Sequence, residues 1–572
     1  MCGILGSYEP SGVDRARCRI ALEGLAHRGP DNGGEWSEPN ETLYLGHRRL
    51  KILDLSDGAN QPMMCPQGRY VLIYNGEIVN FREVRRNVSR DWSWKTDGDT
   101  EVLLARFTEI GLAAFDECVG MFACAIYDRK IRKLHLVRDR FGIKPLYFTR
   151  TVKGGLAFAS EITVLLGFRD SVRPDEDIVR TYLETGLYDH SSRTFFDGVH
   201  SLKAGWRIEL NLVTGAQKEI PWYRIEDHVE DHTGKSESEL IEETMWQIDR
   251  AVTEHLTADV PVGLNVSGGV DSSALLAISR SRINDIEVFS QDYEAPYSEA
   301  KWVDQVCGDT RLHRIDLNWE KIDRMLEETV RVQAEPFGGV TVVGYYYLYQ
   351  EMRNAGVVVA LDGNGVDECF LGYNKYLKSL PGEGEAIDGT LGTRAKTICD
   401  RLLKRTNRIS VPQVIISDDP AKSRGVADLC YSKIPRGLRF NDRMSMQASR
   451  ELRVPFLDNR LVEFALGIPT HFLLNNGQGK SLFRKAVARV CGEELAFAPK
   501  RSVQSPQREW LGKEWGNKVS EVISSTSFAG RGWVDPKEAK ALFEEFRSRG
   551  GDNSFFVWQW FNLELWARES FD

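Results

Sequence analysis

At 572 residues the chain is longer than one hydrophobic core usually serves, so two or more domains are expected. A net charge of −9, with 27% charged and 42% hydrophobic residues, is the balance of a soluble globular protein, and no concentrated basic stripe is present to neutralise nucleic-acid phosphates. No apolar run of about 18 residues and no signal peptide are visible, so no membrane partner is expected and the implied location is cytoplasmic. The ten cysteines are scattered without a Cys-x-x-Cys pair, which argues against a disulfide scaffold or structural zinc.

In chain order the first feature is Met1-Cys2-Gly3-Ile4-Leu5-Gly6. Removal of Met1 would place a thiol and a free α-amine on Cys2. The amine, with a pKa near ~7.7–8.0, can then take a proton while the thiol attacks an amide carbonyl. Residues 1–215 are rich in short apolar runs, such as Arg69 to Tyr74 before Asn75-Gly76 and Phe122 to Tyr127 before Asp128, and predict a strand-dominated domain. The polar stretch 216–235 reads as a linker. Ser236-x-x-Glu239 is a capping box that opens an amphipathic helix through about His255, at the start of a second domain over 236–572. There Val262 to Val266 reads as a strand, Ser267-Gly268-Gly269-Val270-Asp271-Ser272-Ser273 as a glycine-rich loop able to hold pyrophosphate, and Ser272 to Ile283 as a helix. A second buried strand, Val357 to Leu361, runs into Asp362-Gly363-Asn364-Gly365-Val366-Asp367-Glu368. Both loops sit at carboxyl ends of strands, where open parallel sheets bind ligands.

These residues carry a resemblance. Cys2, His27-Arg28-Gly29-Pro30-Asp31, His47-Arg48-Arg49-Leu50, Asn75-Gly76-Glu77, Gly98-Asp99-x-Glu101 and Arg138-Asp139-Arg140-Phe141-Gly142 occur in order in the first domain. The Ser267 loop, Gly363-x-Gly365-x-Asp367-Glu368, Asp442-Arg443-Met444-Ser445-Met446 and Arg453-Val454-Pro455-Phe456-Leu457-Asp458 follow in the second. End to end the chain resembles the glutamine-hydrolysing asparagine synthetases, a class II glutaminase fused to an ATP-pyrophosphatase synthetase. The fold implied is an N-terminal nucleophile hydrolase αββα sandwich, then an α/β domain like the adenine-nucleotide alpha-hydrolases.

The resemblance implies roles. Cys2 would be the nucleophile, with the Asn75 amide and the Gly76 N–H as oxyanion donors; in isolation Asn-Gly reads more readily as a hairpin turn. Arg49, Asn75, Glu77 and Asp99 would bind glutamine, Arg49 as a fork for its carboxylate and Asp99 as a counter-charge for its amine. With Arg48 adjacent, the fork could fall on either arginine; Arg49 is favoured because Arg-Leu-x-Ile-x-Asp matches the family's segment. Ser267, Gly268, Gly269, Asp271, Ser272, Ser273, Gly363 and Lys480 would hold ATP and pyrophosphate, and Asp271 with Asp367 would hold Mg²⁺. Helix capping is the plainer reading of Asp367-Glu368. Lys500 would stabilise the adenylation transition state, and Phe289 to Glu299 would form part of the nucleotide site.

Two departures stand out. Asn364 occupies a position where many asparagine synthetases have glutamate, and Glu335-Pro336-Phe337-Gly338-Gly339 leads into Tyr345-Tyr346-Tyr347 where the family reads Ser-Ala-x-Pro-x-Tyr-Leu. With Lys500 to Gln507 these segments resemble asparagine-synthetase-like proteins of polysaccharide gene clusters, whose inferred acceptors are sugar carboxylates. The expected reaction consumes glutamine, ATP and a carboxylate. L-Aspartate is the default acceptor and a uronic acid or natural-product acid the alternative. A β-lactam-synthetase-like ring closure and a non-catalytic regulatory subunit are weaker readings, because the full set of first-domain motifs is present. A homodimer is implied by the resemblance alone.

Overall fold

The computed structural model describes residues 1–379, 397–412, 414–416, 419–475, 477–500, 505–549 and 553–572. In the first half two six-stranded antiparallel sheets pack face to face. One runs in spatial order 199–201, 147–150, 156–159, 3–8, 43–49 and 32–37; the other runs 217–221, 206–211, 133–138, 120–128, 70–78 and 63–64. Helices Arg15–Glu23 and Asp99–Ile110 cover the outer faces, which gives the expected αββα layering. The run from Tyr70 to Tyr74 is apolar throughout because both of its faces are buried. Val71 and Ile73 fill the space between the sheets, while Leu72 and Tyr74 pack under the 99–110 helix.

Asn75-Gly76 does not turn the chain. It continues the strand Tyr70–Ile78, with Asn75 opposite Ala123 and Gly76 opposite Phe122. A Cβ on Gly76 would lie 2.3 Å from the Met121 carbonyl oxygen and 2.6 Å from Phe122 Cα, so only glycine lets the two strands approach this closely. The stretch expected as a linker begins as structure, since Gln217–Pro221 is an edge strand of the second sheet. The next long helix is Glu237–His255, and its capping box is formed, with the Ser236 N–H donating to Glu239 Oε2 at 2.8 Å.

The second half is built on a five-stranded parallel sheet in the order 312–317, 287–293, 262–265, 359–361 and 451–453. The strand 262–265 has two later strands on each side, so the winding reverses between it and 359–361. Their carboxyl ends open a crevice at that point. The buried strand expected over 357–361 is shorter, Val359–Leu361. Among the described residues no helix is long and apolar enough to cross a membrane.

Buried ionic contacts join the halves. Arg28 donates to Asp442 through both terminal nitrogens, at 2.9 and 3.2 Å, and to Glu161 at 3.0 Å. Lys144 Nζ donates to the Leu452 carbonyl at 2.9 Å. Arg453, fully buried, donates to Glu451 at 2.6 Å and to Glu77 of the first half at 3.1 Å, and to the carbonyls of His255 and Thr257. Burial alone would raise the Glu451 carboxyl, but the chain's α-ammonium, Arg453 and Lys144 together hold it at about 2.

Removing one partner of such a cluster strands the others in a dry interior, at a cost of about 3–5 kcal/mol. Arg453→Met is therefore expected to lower the midpoint of the first urea-unfolding transition; an unchanged midpoint would contradict the assignment. With Met1 in place, Glu451 is depressed from 4.5, so its stabilising contribution is complete above that pH and is lost as pH falls towards about 2. The variant should show a flatter acid limb over that window.

Candidate active site

Cys2 ends up in a closed pocket because Gly3–Tyr8 is a central strand of the first sheet, flanked by 43–49 and 156–159. Its backbone N–H donates to Asn75 Oδ1 at 2.9 Å, its carbonyl accepts from Arg28 Nε at 3.2 Å, and its sulfur lies 4.0 Å from the Leu50 carbonyl. Arg49, Tyr74, Gly76, Glu77, Asp99 and Glu451 line the same space. The structure thus brings together every residue expected at a glutamine site. Burial raises the Cys2 thiol above its ordinary value despite the neighbouring α-ammonium and Arg49, so a base must take its proton before it attacks.

Two polar atoms in this pocket are buried and unpartnered, Asn75 Nδ2 and Glu77 Oε1. Asn75 uses its oxygen on the Cys2 backbone N–H and Glu77 uses its other oxygen on Arg453, which leaves one buried donor and one buried acceptor on these two residues. Buried groups of this kind call for a ligand or water. Asp99 Oδ2 accepts from the Tyr74 hydroxyl at 2.8 Å and the Ile78 N–H at 3.0 Å, while burial raises its carboxyl overall.

Arg48 and Arg49 diverge as successive strand residues must. Arg48 pairs with Glu23, whereas Arg49 lines the thiol pocket. The Arg49 guanidinium is held by the 53–60 loop, with Nη1 on the Ser56 carbonyl at 2.7 Å and Asn60 Oδ1 at 2.8 Å. A carboxylate, as a charged acceptor, can displace such neutral ones. Met1 occupies the pocket as well, with its ammonium 2.8 Å from Glu451, and about 40 Å³ remains, room for a water or two rather than an amino acid.

The second centre lies at the crevice of the parallel sheet. The Ser267 loop leaves the strand Val262–Asn265, and Gly269 caps the helix Val270–Arg280. Ser272 and Ser273 turn their hydroxyls onto the Gly269 carbonyl at 3.0 and 2.8 Å, which fixes the loop's shape. A Cβ on Gly363 would lie 3.3 Å from Asp271 Cβ, so the two loops run close together. Asp367 and Glu368 lie in the first turn of the short helix Val366–Cys369.

The four charged groups expected here form one cluster. Lys480 Nζ sits 2.6 Å from Asp271 and 2.9 Å from Asp367, and Lys500 Nζ lies 2.5 Å from Asp367. Burial works against the Lys480 charge, but the two carboxylates more than offset it and its pKa is raised; burial, with Lys480 alongside, lowers Lys500. Two carboxylates on neighbouring strand ends are oxygen donors of the kind Mg²⁺ takes together with phosphates. Arg501 to Gln504, part of the segment likened to sugar-acid enzymes, lie outside the described residues.

Sequence reading missed several neighbours. Gly372 is required because a Cβ would meet Asp367 Oδ1 at 2.0 Å and Lys480 Cε at 2.1 Å, and the Tyr373 ring lies 3.9 Å from Lys500 Nζ. Glu451 and Arg453 belong to the thiol pocket although they lie some 375 residues beyond Glu77; no spacing signal could have linked them. Asp362 and Asn265 were legible only as residues at strand ends.

This geometry, an N-terminal thiol pocket joined to a phosphate-type loop on a parallel sheet, is that of a glutamine amidotransferase coupled to a synthetase. The glutamine amidotransferase domain family matches residues 1–223, and the asparagine synthase family matches residues 246–568. The latter covers more than half of the chain, which belongs to the asparagine synthase family and is a carbon–nitrogen ligase. It is 27% identical to the glutamine-hydrolyzing asparagine synthetase 1 of Bacillus subtilis (strain 168), covering 99% of this chain and 96% of that protein. It is also 25% identical to the amidase chry2 of Gibberella zeae, covering 94% and 93%.

If Asn75 Nδ2 is an oxyanion donor, Asn75→Ala should lower kcat for glutamine hydrolysis about 10²–10³-fold with a smaller change in KM. Equal losses of rate in ammonia-driven synthesis would instead mean that the change disrupts the fold.

Proposed function

We propose that the chain hydrolyses glutamine at Cys2, passes the ammonia internally to the crevice of the parallel sheet, and forms an amide from a carboxylic acid activated by ATP. The observation that carries this reading is Asn75, whose oxygen grips the Cys2 backbone nitrogen while its amide nitrogen is left buried and unpartnered. Once Met1 is removed, that nitrogen is the α-amine. It takes the thiol proton, and the thiolate attacks the glutamine amide carbon. Asn75 Nδ2 and the Gly76 N–H receive the oxyanion. Glu77 Oε1 and Asp99 face the substrate's amine, and Arg49 its carboxylate.

In the crevice the acid's oxygen attacks the α-phosphorus of ATP and pyrophosphate leaves. Ser267, Gly268, Gly269, Ser272, Ser273 and Gly363 hold the phosphates, while Lys480 and Lys500 neutralise charge that grows on the departing group. Mg²⁺, which Asp271 and Asp367 would hold, supplies further neutralisation at the phosphate oxygens when bound. Ammonia then displaces AMP from the acyl-adenylate. Its proposed path follows the apolar seam between the halves. Leu50, Ile52 and Met121 of the first half form one buried cluster with Leu264, Val266 and Leu361 of the second, and such walls keep ammonia unprotonated.

L-Aspartate is the first acceptor to consider, as the names of the asparagine synthetase relatives suggest. Asn364 and the tyrosine-rich helix Val340–Asn354 favour a second reading, in which the same machinery serves another acid such as a uronic acid. The resemblance to chry2, named an amidase, agrees with a wider acceptor range. The deciding test is pyrophosphate release with Mg·ATP and glutamine, with and without L-aspartate, and mass analysis of the product. Aspartate-dependent release with asparagine formed establishes the first reading, and release that responds only to other acids establishes the second. Glutamine hydrolysis with no acid-dependent release would overturn both.

Met1 fills the thiol pocket, so a residue retained ahead of Cys2 should abolish glutamine use. Inserting lysine between Met1 and Cys2 is expected to remove glutaminase activity while synthesis from ammonium salts persists. Retained glutamine hydrolysis would contradict the α-amine's role.

A further inference from the structure

Attack of ammonia on an acyl-adenylate creates a positively charged nitrogen on a tetrahedral carbon, and a proton must leave before AMP does. We infer that Asp362 accepts that proton, as a catalytic base of the amide-forming step. This deepens the reading above and rests on it.

The inference begins with position. The Asp362 backbone N–H donates to the Arg453 carbonyl at 3.0 Å, and the Arg453 side chain reaches Glu77 in the thiol pocket at 3.1 Å. One residue therefore separates Asp362 from the wall of the ammonia source. On its other side a Cβ on Gly363 would lie 3.3 Å from Asp271 Cβ, so Asp362 adjoins the phosphate loop, where the adenylate would form. Asp362 thus stands between the place where ammonia is made and the place where it reacts.

The second observation concerns partners. Asp271 and Asp367 are tied to Lys480 and Lys500, and Glu368 accepts the Tyr373 hydroxyl at 3.0 Å. Asp362 pairs with no lysine, arginine or histidine among the described residues. Its carboxylate accepts from Asn265 Nδ2 at 2.9 Å and from the Asn364 N–H at 3.0 Å, and the Asn364 side chain also hydrogen-bonds to it; these neutral donors aim it without neutralising it. Burial raises its pKa, the bonds from Asn265 and from the Asn364 N–H and side chain oppose the rise, and the nearby Asp271 charge adds to it, which suits a group that must take a proton and later release it. Tyr349, whose hydroxyl donates to Asn441 Oδ1 at 2.9 Å, and Tyr345 lie close enough for the Asp362 charge to add to burial in raising both hydroxyls. Asn364 has no basic oxygen to offer.

The step balances without another reagent. The ammonia lone pair forms the C–N bond at the acyl carbon, and the nitrogen passes one proton to a carboxylate oxygen of Asp362. The carbonyl re-forms as the bond from that carbon to the AMP oxygen breaks. AMP leaves with the electron pair, and Asp362 returns its proton to solvent.

Asp362→Asn in the full-length chain tests this with three readouts: glutamate from glutamine, acid-dependent ATP–pyrophosphate exchange, and amide formation from ammonium chloride. The acid is whichever of L-aspartate, L-glutamate, D-glucuronate and D-galacturonate drives exchange by the unmodified enzyme. Glutaminase and exchange should stay within about 3-fold while amide formation falls about 10²–10⁴-fold, the range of general-base catalysis. Asp362→Glu should keep exchange and recover part of the amide rate, whereas a merely structural aspartate would give no such split. Amide formation close to the unmodified rate, or parallel loss of exchange and amide formation in both variants, would overturn the assignment. If the unmodified enzyme shows no exchange with any acid, the functional reading itself fails and this inference falls with it.

Discussion

Arg453 is the constraint on which the rest of the molecule depends. It is a fully buried cation at the end of a synthetase strand, and two carboxylates share it, Glu451 from its own strand and Glu77 from the thiol pocket. An isolated guanidinium at such a site would be prohibitively costly, so the two halves must dock in one register for the charge to be met. That docking places the wall of the thiol pocket against the carboxyl edge of the parallel sheet. Arg28 bound to Asp442 and Lys144 bound to the Leu452 carbonyl repeat the arrangement on either side of the same strand and helix.

The two centres use charge in different ways. Around Cys2 the groups are poised and incomplete: a raised thiol, an amide with a spare donor and a carboxylate with a spare acceptor. In the crevice the charges are already matched, two lysines against two aspartates, in a cluster that incoming phosphates and a metal would rearrange. Asp362 belongs to neither pattern. It is aimed by neutral donors and left without a cation, which is what distinguishes a proton acceptor from a phosphate or metal ligand.

Much of this was legible in the sequence because the relevant signals are local. The capping box at Ser236, the strand–loop–helix around Ser267, and the phosphate and metal candidates all lie within short runs whose geometry follows from glycine and from strand ends. Asn75-Gly76 shows where local reasoning alone points the wrong way. Its turn chemistry suggests a hairpin, yet the neighbouring strand approaches so closely that the glycine serves packing, while the asparagine oxygen holds the Cys2 backbone N–H. The linker was misjudged at its start for a related reason, since Gln217–Pro221 is polar on its exposed face but pairs as an edge strand. The long-range partners, Glu451 and Arg453, were beyond reach because tertiary contact alone brings them to the thiol pocket.

The central claim is that ammonia released at Cys2 reaches the acyl-adenylate without entering bulk water. The most direct measurement is isotopic: glutamine labelled with ¹⁵N in its side-chain amide, turned over in the presence of excess unlabelled ammonium, with the amide product analysed by mass spectrometry. The seam at Arg453 and the apolar cluster behind Cys2 predict a product that retains the label at nearly full enrichment. Enrichment diluted to that of the ammonium in solution would show that the two sites exchange their ammonia through water, and would contradict the account.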